Sequence, residues 1–399
     1  MGEAWSIEAI RAAMPAVRES VYLNTGTYGP LPSIVLEAMR ATAEREWAAG
    51  RITLENYERI AELKHAARRE VAALLRCRPD QIALTRHTTD GINLAVMGRN
   101  WQAGDELVTT DMEHPGAQGP IFNVARRYGV IVRTARLGTG AGDSVHAVAR
   151  CIGPRTRMVV LSHLTWNTGA LLPIAEITEL AHRVGALVVV DGAQSAGSIP
   201  VDVIALGVDV YAIPGQKWLC GPEGTGAVYV SDDALDQLQL TIVGYASLVQ
   251  GAVEPIGGYL LPKPTAERFE VGGMHMPAIA GQVAALRWLR EELGYEWIFG
   301  RIAQLGQTAR RRLEEVPGVT VLTPPDRMAG LLTFTVDGCD PQQLVQALAR
   351  RNVIVRWITH PYAIRLSTGF YNDESDLDRF IEALLDARRE LASAQETVR

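Results

Sequence analysis

The chain has 399 residues, 47% of them hydrophobic, enough to bury one large core or two. Its net charge of -6 gives no electrostatic case for nucleic acid or an anionic membrane, and no run of about 18 apolar residues suggests a membrane span. Four scattered cysteines lack a CxxC, and the eight histidines lack HxxxH and HxH pairs. A disulfide framework or a metal centre is therefore not expected, and a reducing cytoplasm is, since the opening MGEAWSIEAIRAAMP shows no secretory signal.

In chain order, the first clear element is an amphipathic helix over 57–76. A strand over 106–110, a helix over 119–128 and a strand over 158–163 follow. The helix over 174–184 leads to the most hydrophobic strand, 187–190, then to strands over 208–213 and 226–230. This alternation predicts an α/β fold with a mostly parallel sheet and helices on both faces. The last of these strands follows a loop too short for a crossover helix, so antiparallel pairing is open to it. From 282 the pattern restarts: helix 282–292, strand 330–336, helix 342–351, strands 353–357 and 364–366, and a final helix from Ser375. That reads as a smaller α/β domain.

Lys217 is the residue that carries most chemistry. Only three lysines occur (Lys64, Lys217 and Lys263), among 39 Lys plus Arg. One of them sits in the Gly/Pro-rich run PGQKWLCGPEGTGAVYV. Arginine cannot give up its proton near neutrality, whereas a partly buried lysine can, and chemistry that needs a primary amine must use it. Upstream, ALVVVDGAQSAG puts Asp191 at the tip of a buried strand. Open α/β sheets bind ligands at that rim. A carboxylate there is costly unless it meets a cation.

Other segments are weaker one by one. LTRHTTDGINLAVMG sets Thr88 and Thr89 at a helix start, either a phosphate cradle or an ordinary N-cap. VTTDMEHPG puts His114 just past a strand end, as a ring to stack on a planar ligand or as a capping residue. SHLTWNTGALLPI places Asn167 past another strand end, where Asn-Thr-Gly also reads as a turn. Gln194 follows Asp191, and AIRLSTGFYNDESDLDRF places Arg365 on a short strand, suited to a carboxylate.

The order Thr-Thr, His, Asn, Asp-x-x-Gln, Lys, then a late Arg resembles the class V aminotransferase family of pyridoxal-phosphate enzymes, which includes cysteine desulfurases. The resemblance runs from YLNTGTYGPLP to YNDESDLDRF, residues 22–380, with DGAQ and KWLCGPEGTG as its most specific motifs. It implies a fold type I transferase with a seven-stranded-type sheet. Residues 21–275 would form the large cofactor domain, and residues 1–20 and 276–399 the small one. It implies pyridoxal 5'-phosphate on Lys217 as a Schiff base, Asp191 against the pyridine nitrogen, and His114 on the ring face. Asn167 and Gln194 would lie near the ring hydroxyl, with Thr88, Thr89 and Gln216 toward the phosphate. Arg365, Asn167 and Asn24 would meet a small amino-acid substrate. A homodimer is implied, with Gly273 at the cross-subunit phosphate contact.

The chain departs from desulfurases in three places. Pro214-Gly215-Gln216-Lys217 replaces Ser-x-His-Lys, and RFEVGG replaces RFE-x-GT. The stretch VRWITHPYAIR before Arg365 holds no cysteine, so a persulfide on the enzyme is not expected. The phrases EHPG, SHLTWNTG and GQKWLCGPEGTG look most like the cysteine/cystine C–S lyase branch, and also like isopenicillin N epimerase-like members. The expected activity is β-elimination at cysteine or cystine. Transamination or epimerisation is the alternative, and a non-enzymatic cofactor-binding partner protein stands behind both.

Overall fold

The computed structural model describes residues 5–254 and 259–397. Seven strands form the main sheet: β1 (Ile82–Thr85), β2 (Glu106–Thr110), β3 (Ile131–Ala135), β4 (Thr156–Ser162), β5 (Leu187–Asp191), β6 (Val210–Pro214) and β7 (Gly226–Val230). Their order is β1-β7-β6-β5-β4-β2-β3, and β7 alone runs against its two neighbours. The reason is the link from β6 to β7, residues 215–225, which holds no helix and so returns antiparallel.

Alternate residues of the central strands feed two cores, as a period of two requires. Val159, Leu161, Val188 and Val190 pack on one face, and Met158, Val160, Leu187 and Val189 on the other. All of these are buried, and each fully buried Val or Leu contributes about 1.5–3 kcal/mol. Helices α1 (Ser33–Ala49) and α2 (Leu54–Leu75) lie early in the chain; α3 (Thr88–Gly98) follows β1, α4 (Pro115–Tyr128) follows β2 and α5 (Ile174–His182) precedes β5. The late helix α6 (Met276–Arg287) packs mainly on α1 and α2. It ends in a π-helical turn, Trp288–Leu293, so the helix expected over 282–292 starts earlier and changes pitch.

A second, antiparallel sheet has the order β8-β9-β11-β10: β8 (Val319–Val321), β9 (Leu331–Val336), β10 (Arg356–Thr359) and β11 (Tyr362–Ser367). Helices α7 (Tyr295–Glu314), α8 (Pro341–Ala349) and α9 (Glu374–Thr397) supply its core with Leu305, Leu344, Leu348 and Phe380, against Leu332, Phe334 and Leu366. The single strand expected over 353–357 is two. Val353–Ile354 pairs in parallel with Val21–Tyr22, while β10 pairs with β11. The N-terminal segment thereby runs along this sheet, and Asn24 bridges to Ser367. Among the described residues no helix is long and apolar enough to cross a membrane.

Candidate active site

The parallel strands end on one rim, and the chain leaving four of them supplies polar side chains to one cavity of about 490 Å³. β1 leads to His87, Thr88 and Thr89, β2 to His114, β5 ends at Asp191 and leads to Gln194, and β6 leads to Gln216 and Lys217. The second sheet closes the cavity with Arg356 and Arg365, which face each other in register across β10 and β11. The N-terminal segment adds Gly26, Thr27 and Tyr28.

Lys217 is half-buried in the cavity wall, and its desolvation lowers its ammonium to about 8 against the pull of Asp191, with Arg365 and Arg356 lowering it further. Its loop is pinned by the N-terminal segment: Gly29 N–H donates to the Gln216 carbonyl at 2.8 Å. Gly29 must be glycine there, since a Cβ would stand 2.1 Å from the Lys217 carbonyl oxygen. Asp191 is buried, and among the described residues its carboxylate accepts one hydrogen bond, from Ala193 N at 2.8 Å. Burial raises its pKa, while Lys217 and that N–H lower it. The carboxylate therefore has room for another cationic donor.

His114 caps α4, its Nδ1 accepting from Gly116 N at 3.0 Å. Burial and then Lys217, Arg356 and Arg365 push its pKa down to about 4, so the ring is neutral at pH 7. The side-chain amide of Gln194 is held at both ends: Nε2 donates to Gly26 O at 2.8 Å and Oε1 accepts from Trp218 Nε1 at 2.9 Å. Across the rim, α3 points its N-terminus into the cavity. His87 is its N-cap, Thr88 and Thr89 open its first turn, and the helix dipole favours an anion there. Among the described residues Thr88 Oγ1 and Gln216 Oε1 are buried without a partner, which costs about 1–3 kcal/mol per group unless a ligand pairs them.

Arg365 is buried, its Nη1 donating to Trp166 O at 2.8 Å and its Nη2 to Thr27 Oγ1 at 2.7 Å. Burial and Arg356 pull it down to about 9, so it stays charged at neutral pH. Among the described residues no carboxylate forms a salt bridge with Arg365 or Arg356. An anionic aromatic group with a protonated ring nitrogen fits this donor set. The α3 N-terminus, the Thr88 hydroxyl and the side-chain N–H of Gln216 suit its phosphate, Asp191 its ring nitrogen, neutral His114 its face and Lys217 an aldehyde carbon.

The structure thus brings Lys217, Asp191, His114, Thr88, Thr89, Gln194, Gln216 and Arg365 together. Three other expected residues lie off this cavity. Asn24 Oδ1 accepts from Thr27 Oγ1 at 2.8 Å, behind the hydroxyl that holds Arg365. Asn167 Nδ2 donates to His360 O at 3.1 Å, and its Oδ1 is buried without a partner among the described residues. Gly273 lines a neighbouring cavity with Leu84, Arg86, Asp90, Ile242 and Val271. Sequence reading missed His87, Thr27, Tyr28 and Arg356. The RHTTD run contained a signal for His87, whose ring occupies the cap position directly before Thr88. Nothing local separates Arg356 from the other arginines.

The aminotransferase class-V family model matches residues 21–380. An isopenicillin N epimerase from Streptomyces clavuligerus is 32% identical over 91% of this chain and 94% of its own length. A probable cysteine desulfurase from Mycolicibacterium paratuberculosis is 29% identical over 96% of this chain, which spans only 58% of that protein. Among solved structures, the complex of the cystine C–S lyase C-DES with its reaction product cysteine persulfide is 33% identical, with a TM-score of 0.89. That match covers 94% of this chain and 99% of the other. The cysteine desulfurase CsdA from Escherichia coli matches with a TM-score of 0.86 at 26% identity, covering 97% and 99%.

Proposed function

Because the chain belongs to the class-V aminotransferase family, we propose that it is a pyridoxal 5'-phosphate enzyme that cleaves the C–S bond of cysteine or cystine by β-elimination. The observation that carries this reading is the position of the cysteines. None of Cys77, Cys151, Cys220 and Cys339 lines the cavity that holds Lys217. Cys220, the nearest in sequence, is wholly buried, and burial drives its thiol far above neutrality. A thiolate that attacks substrate sulfur has to be ionised and accessible.

When bound, the cofactor supplies an electron sink for negative charge at the substrate Cα. Lys217 is the carrier residue and the base for the Cα proton; with its ammonium lowered to about 8, an appreciable fraction is free amine at neutral pH. Asp191 holds a proton on the ring nitrogen. His114, neutral and fixed by Gly116, stacks without adding charge. Arg365 receives the substrate α-carboxylate. Loss of the Cα proton and of the Cβ–S electron pair gives aminoacrylate, which water converts to pyruvate and ammonia. The sulfur leaves with the rest of the substrate, as a persulfide when that substrate is cystine.

The working form is a homodimer in this proposal. Ile242, Tyr245, Leu260, Leu261 and Val271 are exposed around the segment that ends in Gly273, an apolar surface suited to a second subunit. Four unpaired cysteines suit a reducing cytoplasm. The 32% identity to an epimerase favours a second reading, inversion at Cα with the same lysine. The test is the purified protein, and a variant with all four cysteines replaced, on a panel of L-amino acids including cysteine and cystine. Pyruvate, ammonia and released sulfur from both proteins are expected. Alanine as the main product, or activity lost with one cysteine, overturns the reading; a D-amino acid without keto acid selects the epimerase.

A further inference from the structure

Trp166 stands directly behind the residues that line the cavity, and the proposed mechanism leaves it unused. It sits between the two sheets and touches three residues of the cavity. Its carbonyl accepts from Arg365 Nη1 at 2.8 Å. Its ring meets His114 edge-on at 5.1 Å between centroids. The Arg356 guanidinium also lies over the ring, with Cζ 6.0 Å from its centre, a cation–π distance. Yet its indole N–H is buried and has no acceptor among the described residues. Nε of the contacting Arg365 is a second buried donor with none among those residues. Buried donors are paired in the great majority of folded proteins, so two orphans on touching residues mark the place of an acceptor from outside the chain. Both arginines beside them lack a carboxylate among the described residues, which gives that acceptor its charge.

We propose that the Trp166 indole N–H is a donor to the α-carboxylate of the amino-acid substrate, beside Arg365, and that its ring positions Arg356 toward the same group. The inference rests on the amino-acid reading above, but not on elimination. Trp166 then selects for a free carboxylate: a planar anion can accept from the indole N–H and the guanidinium at once, whereas a carboxamide brings donors against them.

The experiment titrates the cofactor-loaded enzyme with L-alanine, which has no leaving group on Cβ, and with L-alaninamide, following cofactor absorbance at equilibrium. Two variants are compared with wild type: Trp166→Phe, and replacement of Trp166 by β-(3-benzothienyl)alanine, which keeps the ring shape and removes the N–H. The expected result for the second is L-alanine binding weakened about tenfold, the worth of one hydrogen bond to a charged group, with L-alaninamide binding and the thermal midpoint of the unliganded protein unchanged. Trp166→Phe is expected to weaken L-alanine at least as much. L-alanine affinity within twofold of wild type in the benzothienyl variant overturns the proposal, as does equal weakening of both ligands. No response of wild type to any L-amino acid sinks the amino-acid reading itself, whereas binding without C–S cleavage sinks only the elimination.

Discussion

Glu113→Gln tests whether burial at this rim has the electrostatic consequence that the geometry implies. Glu113 is buried just before His114. Oε1 accepts from Thr110 Oγ1 at 2.5 Å and Oε2 from Ser162 Oγ at 2.7 Å, and among the described residues it forms no salt bridge. Burial raises its pKa from 4.5 to about 7; the two hydroxyls oppose the shift and Asp191 adds to it. A carboxyl raised in the folded state contributes stability in full below its unfolded value and loses it as pH rises through the folded value. A rise of about 2.5 units, 7 less 4.5, is worth roughly 3 kcal/mol. Wild type is thus expected to lose about that much from this group between pH 4.5 and 7.5. Glutamine keeps the shape and cannot ionise, and the hydroxyls can turn to meet its amide. Urea midpoints of both proteins at half-unit steps from pH 4.5 to 9 supply the assay, since other titrations cancel in the difference. Glu113→Gln should match wild type near pH 5 and exceed it by up to about 3 kcal/mol at pH 8. A difference that does not change with pH refutes the argument.

Three further outcomes follow from the cavity. In the cofactor-free protein only the free amine of Lys217 attacks an aldehyde, and burial lowers its ammonium to about 8. The rate of adduct formation with pyridoxal 5'-phosphate should therefore rise with pH through about 8, where an ordinary lysine would give a midpoint above 10, and Lys217→Ala should form no adduct. Asp191→Ala removes the carboxylate that raises Lys217, and should cut kcat by about 100-fold or more while leaving the fold intact by circular dichroism. Arg365→Lys keeps a charge but loses the planar fork that reaches Trp166 O and Thr27 Oγ1, so KM should rise about tenfold or more with cofactor absorbance unchanged; unaltered kinetics would remove Arg365 from the site.

Sequence alone determined the parts whose physics is local. The unbroken Val run before Asp191 can only be a strand buried on both faces, and it is β5 at the centre of the sheet. The helix-free link from Pro214 to Gly226 set the antiparallel return of β7 and put Lys217 on the ligand rim. Tertiary structure decided what depends on distant partners. β3 is an edge strand with mostly outward side chains; its apolar run Val130-Ile131-Val132 breaks off at Arg133, and the strand is set by its pairing with β2. Residues 353–359 divide between two sheets because Val21–Tyr22 arrives from the other end of the chain to take the first part. Arg356 becomes special only when β10 lies against β11 and sets it opposite Arg365. The same holds for the orphaned N–H of Trp166. An unpaired donor is a property of everything that surrounds it, so no window of sequence around Trp166 contains it.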